Sequence, residues 1–213
     1  MDCVIGFLLG ALTTAAAAYL VWRNNRGSRV APLRPMPSVT VDVENHPEIL
    51  ALRPFCRGRG IDVGCGHRKV APGCIGIDII PPGGLGRHGV VAGRTSVADI
   101  QASGDDLPMF RDGELDYVVS NHNLEHYVDV VKTLTEWRRV LRPGGRLALV
   151  VPDERAGDTV FLDPTHKHAF TPESLVCLLE RVGGFEDIQT APAVPHWSFL
   201  LSARKTDDGP PRG

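Results

Sequence analysis

The stretch Ile61–Asp78, IDVGCGHRKVAPGCIGID, holds residues well placed for ligand chemistry. An apolar run leads into Gly64-Cys65-Gly66, and a second apolar run ends on the carboxylate of Asp78. Glycines permit a sharp turn and a close backbone approach to a ligand, while an acid at the next strand tip can accept hydrogen bonds from ribose hydroxyls. The pattern points to an adenosine-type cofactor at the edge of a parallel sheet. A dinucleotide fingerprint would need a third glycine where Lys69 stands, which weakens a hydride-transfer reading. A second cluster, His122-Asn123-Leu124-Glu125-His126, spells H-x-x-E-H, a pattern in which two histidines bind zinc and the glutamate activates water. That chemistry needs the motif inside a helix and a third ligand from a later helix. Here the motif straddles the exit of an apolar strand, so no metal is expected.

Further motifs follow in a specific order: Asp106-Leu107-Pro108, then Asp112-Gly113-Glu114-Leu115-Asp116, then Tyr117–Asn121 running into Leu124-Glu125-His126, and finally Val140–Leu147 with Pro143-Gly144-Gly145 inside it. This series, over about residues 59–203, resembles class I S-adenosylmethionine-dependent methyltransferases of the type 11, ubiquinone and biotin biosynthesis-like family. The resemblance implies S-adenosyl-L-methionine as cofactor. It implies that Asp62 lies near the methionine part, that Gly64, Cys65 and Gly66 form the cofactor turn, and that Asp78 binds the ribose. It also implies that Asp99 contacts the adenine amino group, with Asp105 or Asp106 as alternatives. Asn121 would be a further cofactor contact, at the fourth strand's tip beside the methyl group. One departure is the segment His67–Cys74, where Pro72 and Gly73 oppose the helix usual between the first two strands. This short form is treated as a subtype in which His67, Arg68 and Lys69 stand in for a helix terminus.

Among catalytic candidates, His122 is the leading general base, because a neutral imidazole accepts a proton near pH 7. The loop Asp163–Thr171 corresponds to one that folds over the acceptor in similar enzymes, and it offers His166 and His168 as second candidates. Many methyltransferases work mainly by alignment, so a base is not obligatory. Cys65 is read as a small residue that suits the turn rather than as a nucleophile.

Positioning these groups requires an α/β scaffold. Predicted strands are Gly60–Val63, Cys74–Asp78, Val90–Ala98, Leu115–Ser120, Arg146–Val151, Phe185–Thr190 and Trp197–Ala203. A helix over Val128–Leu141 would bury Val128, Val131, Leu134, Trp137 and Leu141, and Thr171-Pro172-Glu173-Ser174 starts a second that runs to about Val182. The expected fold is a Rossmann-like, doubly wound, mostly parallel seven-stranded sheet with an antiparallel last strand. The domain spans residues 58–204, after a linker and short lead-in helix over 25–57 and before a solvated tail, 205–213.

The 213 residues suit one such domain, and a net charge of −2 gives no argument for nucleic acid. Five cysteines without paired spacing point away from a disulfide framework. Cys3–Trp22 carries no charge over 20 residues and reads as one transmembrane helix. Arg23, Arg26, Arg29 and Arg34 follow it and place the catalytic domain in the cytoplasm. Gly6 and Gly10 suggest a weak homodimer. The chain is therefore expected to methylate a membrane-associated small-molecule or lipid/glycan acceptor; the alternative is a catalytically inactive, cofactor-binding membrane adaptor.

Overall fold

Strand β1 (Gly60–Val63) is buried along its whole length, as a strand covered on both faces must be. It lies third, between β2 and β4, in a seven-stranded sheet of order β3-β2-β1-β4-β5-β7-β6. The other strands are β2 (Ile75–Asp78), β3 (Ile100–Gln101), β4 (Leu115–Asn121), β5 (Leu141–Pro152), β6 (Phe185–Val194) and β7 (Ser198–Lys205). The computed structural model describes residues 46–87 and 91–207, within a unit that runs from Val41 to Gly213. Strands β3, β2, β1, β4 and β5 pair in parallel, while β7, the last in the chain, runs antiparallel between β5 and β6. The sheet has the expected Rossmann-like topology.

The two sheet faces are covered differently. On one, Ile61, Val63, Val118, Leu147 and Leu149 pack with Leu134 and Trp137 of α2 (Val130–Val140) and with Leu175 and Leu179 of α4 (Pro172–Val182). On the other, Tyr117, Val119, Ala148 and Val150 pack with Ile49 and Leu52 of α1 (Pro47–Leu52) and with Val70 and Cys74 of the β1–β2 crossing. That crossing contains no helix, as Pro72 and Gly73 predict. The buried carboxylate of Asp62 pins it instead, accepting a 2.6 Å hydrogen bond from the Val70 N–H. Tertiary burial of an irregular segment thus replaces a layer that a helix would otherwise supply.

Strands β6 and β7 run a few residues further than expected, and three other boundaries differ. The third strand is not Val90–Ala98. The described part of that region folds on itself, with Leu85 bridging Thr95 and the Ser96 N–H donating to the Gly84 carbonyl, and only Ile100 and Gln101 reach β2. Helix α2 starts later than read, because the Asp129 carboxylate caps it by accepting from the Lys132 N–H at 2.9 Å. Its buried stripe is therefore Val130, Leu134, Trp137 and Val140, and Val128 is 82% exposed. Strand β5 begins at Leu141 rather than Arg146, pairing Leu141 with Leu115 before a register shift.

The predicted anchor Cys3–Trp22, the Gly6/Gly10 pair, the linker and most of the tail lie outside the described residues. Among the described residues no helix is long and apolar enough to cross a membrane.

Candidate functional site

The carboxyl ends of β1, β2 and β4 converge on a cavity of about 460 Å³. Gly64 opens it. With φ +76° it occupies the left-handed region, and a Cβ there would lie 2.3 Å from Asn123 Cγ. The Gly64 and Cys65 N–H groups donate to the Ile77 carbonyl at 2.8 and 3.2 Å, which folds the turn over β2. Asp78 ties the same turn from the side. Its Oδ2 accepts from the Gly66 N–H and its Oδ1 from the Ile80 N–H, both at 2.8 Å. Each carboxylate oxygen keeps a further lone pair for a ligand.

The remaining walls come from Ala102–Asp105 and from Asn123, His126, Tyr127, Val128, Asp129 and Lys132. Helix α2 holds the first of these segments in place. Trp137 Nε1–H donates to the Gly104 carbonyl at 2.9 Å, and Glu136 accepts from the Leu107 N–H at 2.8 Å. Arg139 adds bonds to the Leu107 and Phe110 carbonyls at 3.0 and 2.9 Å. The Tyr127 hydroxyl accepts from the Gly104 N–H and from Asn123 Nδ2, joining the two walls. Sequence reasoning passed over Tyr127 and Asn123 because their role depends on this cross-chain contact. Their one local signal is their position beside the Leu124-Glu125-His126 turn.

The other expected cofactor residues are distributed unevenly. Asp62 faces the α1 side of the sheet, where burial raises its pKa to about 8. Cys65 is buried, and burial beside Asp62 and Asp78 pushes its thiol up to about 12, so it is no thiolate nucleophile at neutral pH. Asp99 precedes β3 and does not line the cavity. Its carboxylate pairs with Lys69 and accepts from the Gly76 N–H at 2.7 Å. Asp105, the alternative acid, does line it. Asn121 ends β4 outside the cavity wall, with its Oδ1 buried and without a hydrogen-bond partner.

His122 also lies outside the cavity, in the left-handed region at φ +50°. Its Nε2 sits 2.8 Å from Glu48 Oε1, and its Nδ1 3.5 Å from Glu125 Oε1. Burial opposes a charge on the ring, but the two carboxylates outweigh it and raise the pKa to about 9. Glu48 is lowered to about 2: burial works against its charge, and His122 and Ser198 overcome that. The two carboxylates thus favour the cationic ring, which has no lone pair with which to accept a proton. Its pairing with Glu48 instead clamps α1 to the exit of β4. The five residues 122–126 do not share one helix, since His122 is left-handed and only Leu124–His126 forms a helical turn.

The loop Asp163–Thr171 reaches the site through backbone bonds, since the Lys167 and His168 N–H groups donate to the Glu125 carbonyl at 2.8 and 3.2 Å. His166 packs edge-on against the cavity residue His126, with ring centroids 4.7 Å apart. His168 is half-buried and donates from Nε2 to the Val128 carbonyl at 3.2 Å. Glu125, His126 and His166 converge closely enough to share an ion among the described residues.

A glycine turn, an acid at the adjacent strand tip and a cavity over both, on a sheet of this order, define a Rossmann-like cofactor-binding domain. Residues 61–149 match the family described as "Methyltransferase domain" (Methyltransf_11). A SAM-dependent methyltransferase from Thermotoga maritima, described as a possible histamine N-methyltransferase, has a TM-score of 0.56 and is 18% identical, covering 75% of this chain and 88% of that one. The Burkholderia thailandensis 1,6-didemethyltoxoflavin-N1-methyltransferase, solved with its acceptor and S-adenosylhomocysteine, has a TM-score of 0.55 and is 20% identical, covering 79% and 80%. An uncharacterised protein from Methanocaldococcus jannaschii is 34% identical over 110 residues, which are 50% of this chain and about half, 51%, of that relative's length. The family match over residues 61–149 covers less than half of the chain, and the solved methyltransferases share its fold.

Proposed function

We propose that the chain transfers a methyl group from S-adenosylmethionine to a membrane-associated small-molecule or lipid/glycan acceptor, from a cytoplasmic domain anchored by Cys3–Trp22. The observation that carries the reading is the cavity built on Gly64 and Asp78. At about 460 Å³ it lies within the roughly 300–1,000 Å³ range of small-molecule and cofactor sites. Its composition fits the cofactor: Asp78, Ser103 and Asp105 offer polar contacts, while Ile77, Ile79 and Ala102 give apolar walls for a base.

When bound, the cofactor supplies an electrophilic methyl on a sulfonium. Asp78 accepts from the ribose hydroxyls, and the Gly64–Gly66 turn brings backbone close to the ligand. His126 and Val128 lie on the β4 side of the cavity, where the acceptor enters. The role of these residues is to hold the acceptor in line with the breaking bond and to exclude water. His166 and His168 remain the proton-accepting candidates on the acceptor loop. An apolar acceptor is favoured by α3 (Thr159–Leu162), which opens that loop with Phe161 and Leu162 exposed at 83% and 63%. Calorimetry tests the reading. Binding of S-adenosylhomocysteine without binding of a nicotinamide dinucleotide is expected, and the reverse preference would overturn it. Tight cofactor binding with no methyl transfer on any membrane extract would point to the adaptor instead.

A further inference from the structure

Glu125 is a buried carboxylate with unused acceptor capacity. It is 1% exposed, and neither carboxylate oxygen has a hydrogen-bond partner. The ring nitrogens that face it are His122 Nδ1 at 3.5 Å, on a ring whose Nε2 pairs with Glu48, and His166 Nε2 at 3.9 Å. His122 faces Oε1 with Nδ1 at 3.5 Å and no hydrogen-bond donor among the described residues reaches either oxygen, so this buried carboxylate keeps acceptor capacity for a further cation. His166 has the matching defect, since its Nδ1 is buried without a partner.

One donor atom each from Glu125, His126 and His166 lie within 4.8 Å of one another. Ligands about 2.1 Å from a tetrahedral ion stand about 3.4 Å apart, so modest closure would bring these three onto one cation. The tautomer of His126 is set correctly for this. The Thr165 hydroxyl donates to Asp163 Oδ1 at 2.6 Å, so its oxygen accepts from His126 Nδ1–H at 3.1 Å. The His126 Nε2 lone pair is then free for a metal, in the arrangement that orients metal-ligating histidines elsewhere. The edge-on packing of the two rings, at 73°, lets their nitrogens converge rather than stack.

We infer that Glu125, His126 and His166 form a binding site for a zinc-class divalent cation, and that its open coordination position takes a hydroxyl group of the methyl acceptor. Two imidazoles and one carboxylate suit such an ion and leave room for a water or substrate oxygen. His126 lines the cavity, so the open position is reachable from it. The second half of the inference rests on the methyltransferase reading. A coordinated hydroxyl loses its proton to solvent more readily. The resulting oxygen lone pair forms the O–CH3 bond as the S–CH3 bond breaks, its electrons remaining on sulfur. The products are a methyl ether, S-adenosylhomocysteine and the released proton. The ion would then do what no histidine base need do.

The full chain, stripped with a chelator, would be titrated with Co²⁺ and followed by its visible d–d absorption, in parallel with calorimetric binding of S-adenosylhomocysteine. One Co²⁺ per chain, displaceable by Zn²⁺, is expected. H166N and E125Q should each weaken Co²⁺ binding at least tenfold while S-adenosylhomocysteine binding changes less than threefold, which also reports that the variants are folded. Absent Co²⁺ binding, or binding indifferent to both substitutions, would overturn the metal site whatever the cofactor result. Lost cofactor affinity in the wild-type chain, with Co²⁺ binding intact, would instead sink the methyltransferase reading alone. For the acceptor class, labelled cofactor incubated with membranes should give an O-methyl product only with the metal-loaded chain. An N- or C-methyl product, or labelling by the stripped chain, would overturn that part.

Discussion

Asp78→Asn is the substitution that most sharply separates the cofactor residues from their neighbours. Asn preserves shape but replaces one carboxylate oxygen with an NH2 group. In the structure both oxygens are in use, one by the Gly66 N–H and one by the Ile80 N–H, each at 2.8 Å. Whichever way the amide turns, a donor then faces a donor, and the charge that would receive the ribose hydroxyls is gone. A hydrogen bond to a charged group contributes about 1.5–3 kcal/mol. With Asp78 only 8% exposed, solvent screens little of this. At about 1.4 kcal/mol per factor of ten, the Kd for S-adenosylhomocysteine should rise about 10- to 100-fold. Titration calorimetry at neutral pH reads this directly, with circular dichroism as the check on folding. Asp99→Asn is the control, since that carboxylate lies outside the cavity against Lys69 and Gly76 and should leave Kd within about threefold. A folded Asp78→Asn chain with unchanged affinity, or equal losses in the two variants, would refute the reasoning.

Other consequences are independent of that one. Gly64→Ala places a Cβ 2.3 Å from Asn123 Cγ at a φ of +76°, so denaturant unfolding should show a loss on the order of 1–3 kcal/mol; an unchanged midpoint would contradict it. The folded pKa of Asp62, about 8, is raised above its unfolded value of 3.8, so the native chain binds the extra proton and wild-type stability falls as pH rises between those values. Asp62→Asn should therefore gain on wild type from pH 5 to pH 8 in urea titrations, and a difference independent of pH would dismiss the assignment. In metal-free protein, NMR should find the His122 ring titrating near pH 9 and Glu48→Gln lowering that value; a ring already neutral at pH 7 would restore it as a base.

What was legible in the sequence was local. Thr171-Pro172-Glu173-Ser174 signals a helix start by side-chain reach alone, and the structure forms the full capping box there. Gly64 and Asp78 were legible because the turn and the strand tip lie within one crossing of the sheet. The third strand was misplaced because Val90, Val91 and Ala92 look like a strand by composition, whereas pairing is decided by where Asp99 meets the Gly76 N–H. The clamp of Glu48 on His122 and Ser198 joins residues 74 and 150 positions apart, a contact that no window along the chain can contain. The same holds for His166, which reaches Glu125 only because its loop is tied to the Glu125 carbonyl. His126, at the end of the short turn Leu124–His126, is a wall of the cavity.

The most direct test of the account is to incubate isolated membranes with methyl-radiolabelled S-adenosylmethionine, with and without the purified full-length chain. The account predicts a labelled, membrane-extractable product that depends on the chain and is strongly reduced by Asp78→Asn at subsaturating cofactor. No label above the protein-free control, from a chain that binds S-adenosylhomocysteine, would contradict it.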